Sequence, residues 1–566
     1  MTTSQERIGH LFEKGILVQK DFLNQELDET VLGRIETEGD LLVLNTDYAS
    51  LITQPTLLID WYEIDRYRAF AEKDRDDELY QTHLQTIQRS RLVVESQTTS
   101  QEHHTESLET KLTSQTTETT FMNEFNETEE LSVPSAVLGT PLFMFDTPPI
   151  VTILISYVNK PKKYEIKDFT NFFLSRYKFL EGMLRSRRGL EGATSISRVL
   201  NKKEKELVAI IGLVEDIGET KNGNIIITLE DPTGHIKVLI SKSKKDIYKE
   251  ARDLVVDEVI GITGQSSDHF LFAESFFWPD LPADHELKKG ETEEYAIFLS
   301  DIHVGSALFL HEEFGKFLTW INGQSGNEQQ RAIAQNVKYI FIAGDLVDGV
   351  GIYPSQEDEL ALKNINQQYE EFTRLITQIP SNKQIIMCPG NHDVVHLAEP
   401  QPVFYQQFAP GLFQLPNVTL VTNPSLGNIG KTETFSGFDI LLYHGYSFDY
   451  YVANVESIRM GGGYHRADLI MKFLLKRRHL APSFKSTPYY PSYEEDPLLI
   501  RKVPDFLITG HIHYCCVANY KGVTMISGSC WQGKTTFQEK LGHQPEPARV
   551  PVVNLKTREV KVLRFG

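Results

Sequence analysis

Hydrophobic positions change their spacing four times along this chain, and each change marks a candidate boundary. Across residues 1–90, apolar positions recur at helical spacing around Leu11, Phe12, Ile16 and Leu17 and again from Trp61 to Ile87, predicting a small, mainly helical docking domain. From 91 to 131 the chain is dominated by Ser, Thr, Gln and Glu, and between Glu95 and Thr120 it holds no aromatic residue. Such a stretch buries too little apolar area to offset its ordering entropy and reads as a disordered linker. Residues 132–204 carry a short strand, 151–155, and then a helix, 166–185. On that helix Phe172, Phe173, Tyr177, Leu180 and Leu184 form one face, a packed core face. The basic flanks, including Lys162, Lys163, Arg187 and Arg188, read as solvated helix ends.

Residues 205–290 switch to short β-branched runs. The turn Asp231-Pro232-Thr233-Gly234 between two of them predicts a hairpin. Further strands at 255–263 and 270–272, with a helical insert near 245–254, suit a five-stranded OB-type barrel, a scaffold that often binds single strands. From 291 to 566 the pattern alternates between compact apolar strands (295–300, 338–343, 384–388, 439–443, 506–509 and 523–527) and helices such as 367–378 and 467–478. The expected class is α/β plus β: a layered α/β sandwich preceded by a barrel, with function at the strand ends.

Composition changes this picture in two places. Four cysteines without zinc-finger spacing argue against a disulfide framework and for a reducing, cytoplasmic setting. No stretch approaches the length of a membrane span. The net charge of −20 opposes an unaided grip on nucleic acid, since phosphate neutralisation supplies most of such affinity. Either the substrate is not nucleic acid or a partner holds it.

The chemistry lies at the strand ends. Asp301 and His303, Asp345, Asn391-His392-Asp393, His444, and His511 with His513 each follow a predicted strand. Alone, an Asp-x-His triplet is weak evidence. Together these residues supply a mixed oxygen and imidazole ligand set without thiolate, suited to Mn2+, Fe2+, Zn2+ or similar ions.

All five motifs in order make the chain from about 294 to 566 resemble the calcineurin-like metallophosphoesterases. The resemblance implies two divalent metals, most simply Mn2+, with Fe, Zn or Mg as alternatives. One site would use Asp301, His303 and His513, the other Asn391, His444 and His511, with Asp345 bridging. It makes His392 the catalytic histidine and Asp393 the group that orients it. Paired metals of this kind activate water and neutralise phosphate oxygens. Phosphatases of the superfamily carry an arginine where this chain has Gly349, which disfavours a phosphatase.

A barrel ahead of a phosphoesterase domain resembles the small subunits of replicative DNA polymerases, most closely those of archaeal family D. Supporting stretches are Lys476-Arg477-Arg478-His479, Val503-Pro504-Asp505, Phe537-Gln538 and Gly542-His543-Gln544-Pro545. The resemblance implies a 3′→5′ proofreading exonuclease, nucleoid-associated, acting on a DNA primer 3′ end or single strand. It also implies a large catalytic subunit that supplies the basic DNA-holding surface. Lys476, Arg477 and Arg478 would guide a frayed strand or form a solvated helix end. A sliding clamp is a further candidate partner, although no clamp-docking motif stands out. The alternatives are a non-catalytic assembly subunit and another phosphoesterase, a repair nuclease or a phosphatase.

Overall fold

The computed structural model describes residues 17–18, 43–44, 151–158, 162–202, 205–267, 270–491, 495–540 and 542–566. The expected N-terminal helices and the polar linker lie outside the described residues. Only β1 (Leu17–Val18) and β2 (Val43–Leu44), a parallel pair, are described there. The chain divides into two compact units, 1–139 and 140–566, and the barrel and sandwich both belong to the second.

Five strands close the barrel: β4 (Leu207–Glu219), β5 (Ile225–Asp231), β6 (Gly234–Ile240), β7 (Val259–Ser267) and β8 (Phe270–Phe277), in the order β4-β5-β6-β8-β7. Alternation along the strands sends Ile210, Ile227, Val238, Ile262 and Leu271 inward, where they are fully buried. The helix Lys245–Ala251 adds Ile247 and Ala251 to that core. At the β5–β6 turn the Asp231 carboxylate accepts the Thr233 N–H at 2.7 Å, a local bond that fixes the hairpin.

The sandwich consists of two six-stranded sheets. One runs β12 (Val418–Leu420), β11 (Gln384–Cys388), β10 (Val337–Ala343), β9 (Tyr295–Leu299), β18 (Arg549–Asn554), β19 (Val560–Arg564). The other runs β16 (Cys516–Tyr520), β17 (Val523–Ser527), β15 (Phe506–Thr509), β14 (Phe438–Leu442), β13 (Ser425–Ile429), β3 (Val151–Ile155). Phe298, Phe341, Ile386, Ile440, Phe506 and Ile508 pack between the sheets. The outer face of the first sheet packs on helices His311–Ile321 and Ile365–Ile376 through Phe314, Phe317, Tyr369 and Phe372. The second packs on Phe448–Asn454 and Ala467–Arg477 through Phe448, Tyr451, Ile470 and Leu474. Strands covered on both faces read as continuous apolar runs, which is why β9, β10, β11 and β15 were visible in sequence.

The strand and helix expected within residues 132–204 belong to both domains. β3 pairs antiparallel with β13 and so completes the second sheet. The helix Ile166–Arg185 lays Tyr177, Leu180 and Leu184 against Ile211, Leu213 and Val259 of the barrel and Leu499 of the sandwich. Its Arg176, fully buried, donates from Nε to Asp496 Oδ2 at 2.7 Å and from Nη1 to the Pro482 carbonyl at 2.8 Å.

Candidate metal centre

The C-terminal ends of β9, β10, β11, β14 and β15 meet at one place, and each delivers its motif there. His303 Nε2 lies 3.0 Å from His513 Nε2 and 3.8 Å from Asp345 Oδ2. His513 Nε2 is 3.5 Å from Asp301 Oδ1. Beside them, His444 Nε2 is 2.8 Å from Asn391 Oδ1 and 3.3 Å from Asp345 Oδ2, and His511 Nδ1 is 3.0 Å from Asn391 Oδ1. Asp345 touches both groups. All seven expected ligand positions are therefore brought together, and Asp301–His303–His513 and Asp301–Asp345–His444 form sets able to hold an ion.

The backbone is bent to achieve this. Asp301, His303, Asp345, His511 and His513 all have positive φ, between 51° and 73°. Side-chain-bearing residues rarely adopt that region, and its cost persists only where the surroundings enforce it. Gly390 is required by proximity: a Cβ there would stand 2.2 Å from Asp345 Oδ1.

The donor chemistry fits cations. His444 Nδ1 donates to the Ala343 carbonyl at 2.8 Å, so its Nε2 lone pair faces the oxygens of Asn391 and Asp345. His511 Nε2 is bonded to Asp449 Oδ2 at 3.0 Å, which aims Nδ1 at the same Asn391 oxygen. Acceptors facing acceptors need a positive charge among them. Without a metal a proton supplies it: although burial opposes this, Asp345 pushes His444 up to about 9. Burial likewise opposes ionisation of Asp345, yet the His444 and His392 imidazoles hold its carboxyl well below the usual range.

Supporting residues come from outside the motif ligands. Asp348 Oδ1 accepts from His303 Nδ1 at 3.0 Å, and Gln532 and Gln356 donate to the same carboxylate. Gln538 Nε2 meets His513 Nδ1 at 3.0 Å. Sequence analysis missed these roles and that of Asp449. Asp348 left a signal as a second carboxylate three residues beyond Asp345, and Gln538 lay in one of the stretches that carried the resemblance.

The role expected of Asp393 needs correction. The His392 ring is held by the Asp348 backbone, Nδ1 donating to that carbonyl at 2.8 Å. Asp393 instead accepts from the Gly390 N–H at 2.9 Å, the Leu346 N–H at 3.3 Å and the Tyr369 hydroxyl at 3.0 Å. Burial first, and the Asp345 charge second, push it up to about 7. Asp393 therefore ties together the two loops that carry Asp345 and Asn391.

Arg477 and Arg478 end a helix, the second of the two expected readings, but not a solvated one. Both are buried. Arg477 donates to the Asp253 carbonyl at 2.7 Å and Arg478 to the Ile500 carbonyl at 2.8 Å, while Lys476 sits 3.5 Å from the Trp278 ring centre. Arg477 and Lys476 join the sandwich to the barrel through Asp253 and Trp278, whereas Arg478 braces the sandwich itself, and neither arginine is placed to guide a strand.

The site opens into a cleft of about 670 Å³ lined by His392, Tyr353, Tyr446, Phe537 and His543. The calcineurin-like phosphoesterase family matches residues 296–515, and an OB-fold nucleic acid binding domain matches 208–269. The DNA polymerase II small subunit of Methanothermobacter thermautotrophicus is 40% identical over 402 residues, which span 71% of this chain and 80% of that protein. This chain belongs to the DNA polymerase II small-subunit family. The small subunit of Pyrococcus furiosus is 37% identical over 71% of this chain and 64% of its own length. That of Halobacterium salinarum is 34% identical over 71% and 75%. The barrel and the phosphoesterase sandwich of this DNA polymerase II small-subunit homologue are those the sequence predicted. Among its described residues, no helix is long and apolar enough to cross a membrane.

Proposed function

We propose that this chain is a metal-dependent 3′→5′ exodeoxyribonuclease that trims primer ends as the small subunit of a DNA polymerase. The observation that carries the reading is the inward-facing cluster of acceptors: His444 Nε2 lies 2.8 Å from Asn391 Oδ1 and 3.3 Å from Asp345 Oδ2, a set that divalent cations would satisfy. Asp301, His303 and His513 would hold one divalent ion and Asn391, His444 and His511 a second, with Asp345 between. The mixed imidazole and oxygen set suits Mn2+, Fe2+ or Zn2+, and Mn2+ is the ion the family resemblance favours. When bound, the pair would lower the pKa of water and screen the phosphate oxygens.

The chain's own residues then divide the work. Asp348 and Asp449 set the ring tautomers of His303 and His511 so that lone pairs point inward. His392 donates Nδ1–H to the Asp348 carbonyl, which leaves Nε2 to exchange a proton with the leaving oxygen. Gly349 supports a phosphodiester over a phosphoprotein substrate. Its φ is +75°, and a Cβ would lie 2.5 Å from the His392 carbonyl, so the phosphatase arginine has no room here.

The acidic chain depends on its large catalytic subunit to hold duplex DNA. The test is Mn2+-dependent digestion of a 5′-labelled primer with a mismatched 3′ end, by wild type and His392→Ala, each alone and with the large subunit. A 3′-end ladder lost in the mutant, with metal content unchanged, is expected. No ladder from either protein in either setting would make the subunit an assembly scaffold.

A further inference from the structure

The cleft that holds the metal-type ligands has an apolar rim that none of the proposed chemistry uses. Val350, Ile352, Leu397 and Phe537 line it and remain 48%, 39%, 40% and 39% exposed. Large apolar side chains left open around a polar floor point to a ligand with an apolar face.

The geometry of that rim is organised. The Phe537 ring stacks on Tyr353 with centroids 5.1 Å apart and planes 19° from parallel, and Tyr353 lies 6.4 Å from the His392 ring. The Tyr353 hydroxyl donates to Glu359 Oε2 at 2.9 Å, and the other oxygen of that carboxylate accepts the Thr536 N–H at 2.9 Å. Glu359 thus clamps the loop bearing Tyr353 to the residue preceding Phe537. Both rings are fixed before any ligand arrives, which lowers the entropy lost on stacking.

We propose that the Phe537 ring, backed by Tyr353, is a platform on which the nucleobase beside the scissile phosphate stacks. The proposal rests on the phosphodiesterase reading above and deepens it. It names a substrate whose phosphate faces the histidines while a flat apolar ring lies a few ångströms away, a combination that a nucleotide has and a phosphoserine lacks. It also addresses the charge. A chain of net charge −20 gains little from phosphate contacts, whereas base–aromatic stacking tolerates any sequence and needs no positive surface. Phe537 is a positioning residue, and Tyr353 acts through it.

The test uses the full chain carrying His392→Ala, with Mn2+, titrated with single-stranded DNA whose 3′-terminal base is 2-aminopurine. Binding should quench the fluorescence. Adding Phe537→Ala should abolish the quench and weaken binding about tenfold, the size of one lost base–aromatic stack. Phe537→Trp should restore both. A strand ending in an abasic residue should bind equally well whether or not the protein carries Phe537→Ala. Unquenched binding, no binding, or an equal loss for base-bearing and abasic ends would overturn the platform. Quenching that persists while the wild type cleaves no DNA would instead sink the exonuclease reading and leave the platform standing.

Discussion

His303 Nδ1 and Asp348 Oδ1 lie 3.0 Å apart, both buried, and the backbone carbonyl of the same Asp348 holds His392 at 2.8 Å. One residue therefore orients a proposed ligand and the proposed proton donor. Asp348→Asn keeps the shape but weakens the hydrogen bond that sets the His303 tautomer. It should lower Mn2+ affinity about 10–100-fold, while the melting temperature in the absence of metal changes little. Calorimetric Mn2+ titration of wild type and variant checks this; equal affinities would remove Asp348 from the site.

Gly390→Ala places a methyl 2.2 Å from Asp345 Oδ1 and 2.7 Å from His444 Cε1. The expected outcome is overpacking strain of about 1–3 kcal/mol, relieved by displacing Asp345. Bound metal, measured by elemental analysis, should fall with turnover. A variant with wild-type metal content would show that Asp345 does not need its observed position.

Glu399 is buried behind the site, where Oε2 accepts from the Tyr443 hydroxyl at 3.1 Å and Oε1 from Asn423 at 3.4 Å. Burial pushes its carboxyl up to about 7 from the ordinary 4.5. Below about pH 4.5 the group is neutral in both states. Between there and about 7 the unfolded chain releases its proton first, so stability falls as pH rises, by about 3 kcal/mol in all. Glu399→Gln should flatten that slope, making the variant relatively more stable at pH 8 than at pH 5 when both are melted beside the wild type.

Asp496 accepts from Arg176 at 2.7 Å and from His479 at 2.8 Å, all three side chains being buried. Removing one charge strands the other. Asp496→Asn should cost about 3–5 kcal/mol in urea unfolding. Burial pushes His479 down to about 4, so its imidazole is neutral and adds no charge to the pair. A loss under about 1 kcal/mol would mean that water reaches Arg176.

Much of the site was legible because each ligand motif directly follows an apolar strand, as at Tyr339 to Ala343 before Gly344-Asp345. The barrel was legible from its hairpin and strand spacing. What Asp393 bonds to and the burial of Arg477 and Arg478 were not legible, because local sequence shows a charge but not what faces it.

The types of the proposed ligands, their order and the strands that carry them can all be read without coordinates, because strand runs and strand-end motifs are local patterns. How those ligands are held came only from the folded chain. β3 joins the phosphoesterase sheet through Thr152 and Asn428, and Asp301 takes its positive φ while accepting the backbone N–H of His511 at 3.0 Å. Such pairings span hundreds of residues, and a strained φ is sustained only by contacts from distant strands. Neither leaves a trace in the spacing of neighbouring side chains.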